Sequence, residues 1–235
     1  MDKVAKVFMN YGIDEAYKAP SILMNILFDK ELREKLFKDL LIAHDYDLSY
    51  DWFFEYFQDE HADRKKKKQD FTPKSVAELL SRIALTGEGD PGNYYECCAG
   101  TGSIMITHWD NHRKEYSPFT YKPSQHFAHL EELSDRTVPF LLLNMMVRGM
   151  NGVVVHGDTL RRTCKTAYLV CNTEDDHMDY SGISVFPHTE EVEKLLNVKF
   201  IGEQALEHKE LMSIEMIEML LNTSFKEVSY EPCKP

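Results

Sequence analysis

The run Glu96-Cys97-Cys98-Ala99-Gly100-Thr101-Gly102-Ser103 carries the sharpest chemical signal in the chain. It reads as an acid ending a short strand, a turn bracketed by glycines, and then a helix. Glycine takes backbone conformations barred to other residues and lets the chain approach a ligand closely. The helix beyond supplies N–H groups with no intrahelical partner and the positive end of a dipole. In open α/β sheets ligands sit outside the carboxyl ends of the strands, where such a turn lies. Alone, the pattern suits a tight connection as readily as a bound nucleotide. It lacks the lysine of a P-loop and the third glycine of a dinucleotide fingerprint. Two further acids fall at matching places. Glu132 ends a second strand, where a carboxylate can accept both hydroxyls of a ribose, and Asp158 follows Gly157 at the end of a third.

These residues need an alternating frame to hold them. Ser75 to Leu85 reads as a helix opened by Thr72-Pro73, since proline suits a first helical turn. Strands are predicted over Asn93–Cys98, Gln125–Glu132, Val153–Val155 and Ala167–Cys171, with an apolar helix over Val138–Val147. Strands and helices in this order imply a parallel, doubly wound α/β sheet covered on both faces. Before it, residues 20–47 have apolar positions at helical spacing. Residues 50–63 are rich in aromatics (Trp52, Phe53, Phe54, Tyr56, Phe57), read either as a stacking surface or, with more weight, as a buried helix contact. The basic run Arg64–Lys68 reads as a linker or a phosphate contact. The division that follows is 1–68, a helical segment with a basic linker, and 69–235, the main domain.

Taken together and in order, Phe71-Thr72-Pro73, Glu96 to Gly102, Glu132, Asn144 to Gly149 and Gly157-Asp158-Thr159-Leu160 resemble the adenine-N6 DNA methyltransferases. The likeness is particularly to the modification subunits of type I restriction systems. The resemblance spans about a hundred residues. It implies a Rossmann-like methyltransferase sheet, with S-adenosylmethionine as cofactor and adenine in DNA as substrate. It places Phe71, Thr72 and Pro73 near the methionine end of the cofactor. Glu96, Gly100 and Gly102 become its cradle, Glu132 the ribose ligand and Asp158 a neighbour of its adenine.

The family's catalytic tetrad, Asn-Pro-Pro-Tyr/Phe, is where this sequence departs. In the family, the Asn side chain and the first Pro carbonyl accept the target amine's hydrogens while the ring stacks on the flipped base. Here the chain reads Asn172-Thr173-Glu174-Asp175. Asn172 stands in the place of the catalytic Asn, without the prolines or the ring. Two readings follow: a compact DNA adenine methyltransferase acting through Asn172, or a catalytically silent relative that works by protein contacts, such as a decoy or modulator of restriction-modification. A third, methylation of a small molecule or protein, needs only the cofactor half.

Composition bounds the partners. The net charge is −12, so any grip on DNA is local or supplied by a partner such as a separate specificity subunit. Five cysteines without framework spacing suit a reducing compartment, and no cysteine pair has metal-knuckle spacing. His108 and His112, four apart, read as ordinary surface, and no metal is expected. No apolar stretch long enough for a membrane span and no secretion signal are read, which suggests a cytoplasmic protein, prokaryotic or phage-encoded. After Asn172 a short helix is predicted over Glu190–Leu196, a longer one over Gly202–Leu221 with an apolar stripe, and a final strand over Phe225–Tyr230. A separate DNA target-recognition domain is therefore not expected.

Overall fold

The computed structural model describes residues 2–60, 72–85 and 92–204. The basic run at 64–68, Phe71, nearly all of the helix read over 202–221 and the strand read over 225–230 lie outside them.

Three parallel strands form the frame of the site. Strand β1 (Asn93–Glu96) leads through helix α6 (Ser103–Arg113) into β2 (Phe127–Glu132), and β2 leads through α7 (Val138–Val147) into β3 (Asn151–Asp158). The register runs Asn93↔Phe127↔Asn151 at one end and Glu132↔His156 near the other. Both crossovers contain a helix, as a parallel connection requires. Helix α5 (Lys74–Leu85), opened by Pro73 as read, lies beside α6, where the Ser81 hydroxyl accepts the Asn111 amide at 3.0 Å. All ten residues of α7 are buried, which explains why its sequence is apolar on every side.

The sheet then turns back on itself. Strand β4 (Thr163–Cys171) is antiparallel to β3, β5 (Gly182–Val185) is antiparallel to β4, and β6 (Lys199–Phe200) runs parallel to β4. The result is a mixed α/β fold with a mostly parallel sheet, in the order β1-β2-β3-β4-β5. The sequence led us to expect β4 to be parallel, and the connection explains the difference. Strand β3 runs on to Asp158 and β4 starts at Thr163. The short link between them cannot make a parallel crossover, which takes a dozen residues or more. Arg162, with φ +52°, fixes that turn by donating to both Glu131 carboxylate oxygens at 2.9 and 3.0 Å.

Alternate strand residues feed two cores. On one face Ala128, Leu130, Val154, Tyr168 and Val170 pack under α6 and α7. On the other, Phe127, Val153, Val155, Ala167 and Leu169 pack with Val192 and Leu196 of α8 (Glu190–Leu196). The N-terminal helices α1 (Lys3–Met9), α2 (Ala19–Phe28), α3 (Lys30–Ala43) and α4 (Phe53–Glu60) join the first core without a break, so residues on both sides of position 68 share one interior. The aromatic run is part of that interior. Phe53, Tyr56 and Phe57 ring Phe140 of α7 at centroid distances of 5.0, 5.8 and 4.7 Å. Their reading as a base-stacking surface gives way to core packing.

Candidate active site

The turn after β1 is shaped by its glycines. Gly100 has φ +57°, a region costly for residues with a Cβ, and a Cβ built there would meet nothing within 4 Å. Its backbone therefore borders open space. Gly102, at φ +94°, is the N-cap of α6 and offers no capping side chain, which leaves the first N–H groups of that helix for another acceptor. Gly157 is glycine for a different reason. A Cβ there would lie 2.0 Å from the Thr163 carbonyl oxygen of the adjoining strand.

These elements enclose a cavity of about 370 Å³ outside the carboxyl ends of β1, β2 and β3, within the range of small-ligand sites. Thr72, Glu96, Gly100, Glu132 and Asp158 line it. Six of the eight residues read as cofactor ligands thus fall on one sheet edge: these five, and Gly102, which caps α6 beside Thr101 of the lining. Pro73 adjoins Thr72 one step outside the lining, and Phe71 lies outside the described residues.

Glu132 holds the cavity together. One of its oxygens accepts the Gly100 N–H at 2.8 Å, and the other accepts the Ser134 N–H at 2.8 Å. Each carboxylate oxygen has two lone pairs, so both keep capacity for a ligand. Asp158 accepts the N–H groups of Leu160 and Arg161, both at 3.0 Å. Glu96 receives the Tyr94 hydroxyl at 3.0 Å. Burial, reinforced by the nearby Glu132 charge, pushes the Glu96 carboxyl up to about 7 against the relief of its hydrogen bonds. The Thr159 hydroxyl reaches the Cys97 carbonyl at 2.9 Å and ties the β3 end to the β1 turn. Leu133 and Leu160 line the same cavity with largely exposed side chains.

Behind the glycine turn lies a polar network that sequence reasoning missed. Asp51, buried between the N-terminal helices and the sheet, accepts hydrogen bonds from the Thr101 hydroxyl, the Phe53 N–H and the Asn144 amide. Asn144 also donates to the Thr101 carbonyl at 2.8 Å. Arg148 spans Asn144 and the Leu48 and Tyr50 carbonyls. The N-terminal segment is thereby fastened to the glycine turn. The one local signal was the odd presence of Asn144 within an otherwise apolar helix and of Arg148 at its C-cap.

The structure does not bring Asn172 to this cavity. Because β4 runs backward, Asn172 lies beyond Cys171 next to the start of β3, where its N–H donates to the Asn151 side chain at 2.7 Å. The eight-residue β3 separates it from Asp158, a span of roughly 23 Å at about 3.3 Å per residue. Its side chain is buried and consumed by its own loop. The amide donates to the Asp176 and Asp179 carbonyls at 2.8 and 2.9 Å, and its oxygen accepts the Asp176 N–H at 3.2 Å. Tyr180, the aromatic residue nearest along the chain after Asn172, packs edge-on against Phe37 in the same remote region.

His108 and His112 are also not where the sequence put them. Both are buried, and their rings stand 5.7 and 5.8 Å from the buried ring of His126. Helix α6 turns this side inward against the β2 entry, and burial holds His108 down to about 4 and His126 well below its ordinary value. Among the described residues no group of three or more histidine, cysteine or acidic side chains could hold a metal ion. No helix among them is long and apolar enough to cross a membrane.

The model of the N-6 DNA methylase family matches residues 45–182. No curated protein and no solved structure matches the chain. The family match covers more than half of the sequence. It takes in the glycine turn, both downstream acids and the Asp51 network, and ends just past the Asn172 loop. This chain belongs to the N-6 DNA methylase family.

Proposed function

We propose that the cavity at the carboxyl ends of β1–β3 binds S-adenosylmethionine, and that the chain is a DNA methyltransferase acting on the N6 amine of adenine. The observation that carries the reading is the convergence of Gly100, Glu132 and Asp158 on one cavity. The residues suit the group: an open glycine cradle for a close backbone approach, a carboxylate with spare lone pairs for vicinal hydroxyls, and a second acid for a ring amine. In this assignment Glu96, Gly100 and Gly102 form the cradle, Glu132 holds the ribose, Asp158 meets the adenine, and Thr72-Pro73 stand at the methionine end. The bound cofactor supplies a methyl group made electrophilic by its sulfonium. The protein contributes orientation and exclusion of water, the chief sources of rate when the reacting groups are already activated.

With a net charge of −12, the chain meets DNA through a separate specificity subunit in this reading, as the restriction-modification resemblance implies. The remote place of Asn172 favours a second reading, in which cofactor binding is kept and the chain acts by protein contacts. Calorimetric titration with S-adenosylmethionine tests the common ground. Micromolar binding lost in Glu132→Ala supports the assignment, and absence of binding overturns it. Transfer of labelled methyl to adenine in DNA then separates the two readings.

A further inference from the structure

A cavity of about 490 Å³ lies at the other end of the sheet from the glycine turn, between helix α3 and the loop joining β4 to β5. Its volume falls in the range of small-ligand sites. Lys30, Arg33, Glu34 and Lys38 line it from α3. Lys30, Glu34 and Lys38 recur every four residues and so share one helix face, which Arg33 adjoins.

Arg33 is the unusual member of this wall, because it is a cation only 8% exposed. Among the described residues its one hydrogen bond goes to the Leu27 carbonyl at 3.2 Å, and its buried Nε has no partner. The acids whose charge reaches it, Glu34 and Asp29, are engaged elsewhere. Asp29 accepts the Leu32 N–H at 3.0 Å, and a Glu34 oxygen lies 3.9 Å from Lys30 Nζ. Burial holds the Arg33 guanidinium below its ordinary value in spite of them. A buried cation without a bonded counter-ion is costly, and a buried donor without an acceptor calls for an explanation. A ligand carboxylate answers both, since its two oxygens match two N–H groups on one edge of a guanidinium.

The facing wall has the opposite sign. Glu174 and Asp179 line the cavity from the loop, and with Glu34 they equal the three cations in number. A dianionic phosphate would meet those acids as like charges. A single carboxylate with an ammonium group beside it complements both walls. Met178, 77% exposed, adds an apolar edge to the same cavity.

We propose that this cavity binds a small zwitterion of the amino-acid class, a carboxylate with an adjoining ammonium. Arg33 holds the carboxylate with Lys38 at its edge, Glu174 and Asp179 receive the ammonium, and Met178 flanks an apolar side chain. The site goes beyond the methyl-transfer reading and does not depend on it.

The probe is L-leucine, with acetate and inorganic phosphate as comparison ligands. Each is titrated into the protein while NMR follows the arginine Nε–H signals and the backbone amides of the loop. Arg33→Met identifies the Arg33 signal by its loss. The expected result is a saturable shift of that signal with L-leucine, at an affinity about tenfold or more above that of acetate. Lys38→Glu should weaken binding about tenfold, and Arg33→Met should abolish it, as read from the loop amides. Without ligand, Arg33→Met should melt no lower than the wild type, because an apolar side chain replaces an unpaired buried charge. Retained binding in Arg33→Met overturns the proposal. Should that variant not fold, undiminished binding in Lys38→Glu, at an exposed position, does so instead. An Arg33 signal that L-leucine leaves unmoved also overturns it, as does acetate or phosphate binding as tightly as L-leucine. Glu132→Ala should leave L-leucine affinity unchanged, so these outcomes are separate from the fate of the cofactor reading.

Discussion

The two ends of strand β3 present opposite solutions to the same chemical problem. At its carboxyl end, Asp158, Glu132 and Gly100 share their hydrogen bonds with backbone N–H groups of neighbouring turns and still border a cavity. At its amino end, Asn172 spends both ends of its side-chain amide on its own loop, and its backbone N–H goes to the Asn151 side chain beside it. Both ends hold polar residues matched to family motifs. At one end the polar atoms keep capacity for a ligand; at the other they close a turn. A motif residue is a candidate for chemistry only where the fold leaves it something to bind.

That contrast can be broken or sharpened by substitution. The largest effect is expected at Gly157. A valine there drives a Cβ into the Thr163 carbonyl, costing about 3 kcal/mol as overpacking against backbone. In thermal unfolding this lowers the midpoint by roughly 6–12 °C. A wild-type midpoint would mean that the β3–β4 hairpin is not as described, and Asn172 would be free to lie elsewhere.

Glu132→Ala comes next. It should weaken S-adenosylmethionine binding by about 1.5–3 kcal/mol if the carboxylate accepts the ribose hydroxyls. Calorimetry reads this directly, and unchanged affinity would remove the distinction between the two ends of the strand.

A smaller effect, of defined sign, belongs to Glu96. Its carboxyl is raised from 4.5 to about 7 in the folded protein. The folded state therefore holds its proton more tightly than the unfolded state between those values. The contribution of Glu96 to stability is most favourable below about pH 4.5, falls as pH rises through 7, and stays low above it. Glu96→Gln should gain on the order of 2 kcal/mol relative to wild type on going from pH 4.5 to pH 8. Denaturant titrations at the two pH values check this, and a difference of the opposite sign would show that Glu96 is stabilised as a carboxylate.

The smallest effect is Asn172→Ala, about 1–2 kcal/mol of stability from the lost loop hydrogen bonds, with cofactor affinity unchanged. Loss of methyl transfer at unchanged stability would return Asn172 to the reaction and defeat the comparison.

The local pieces are legible in the order of the residues alone. Helix α7 occupies Val138–Val147 as its apolar run, broken only by Asn144, demands, and the strand–glycine–helix turn around Gly100 forms where its residues put it. The acids Glu132 and Asp158 end their strands at the same edge. Each of these follows from residues adjacent in the chain, where period, glycine conformations and caps act over a few positions. What the sequence could not decide was set between distant residues. The short β3–β4 link turned an expected parallel strand back and carried Asn172 to the far edge. Asp51 met Thr101 fifty residues on and fused the N-terminal helices to the glycine turn. His126 closed on His108 and His112 to make a buried cluster of what read as surface. Such pairings depend on which faces the folded chain brings together, and no local period records that.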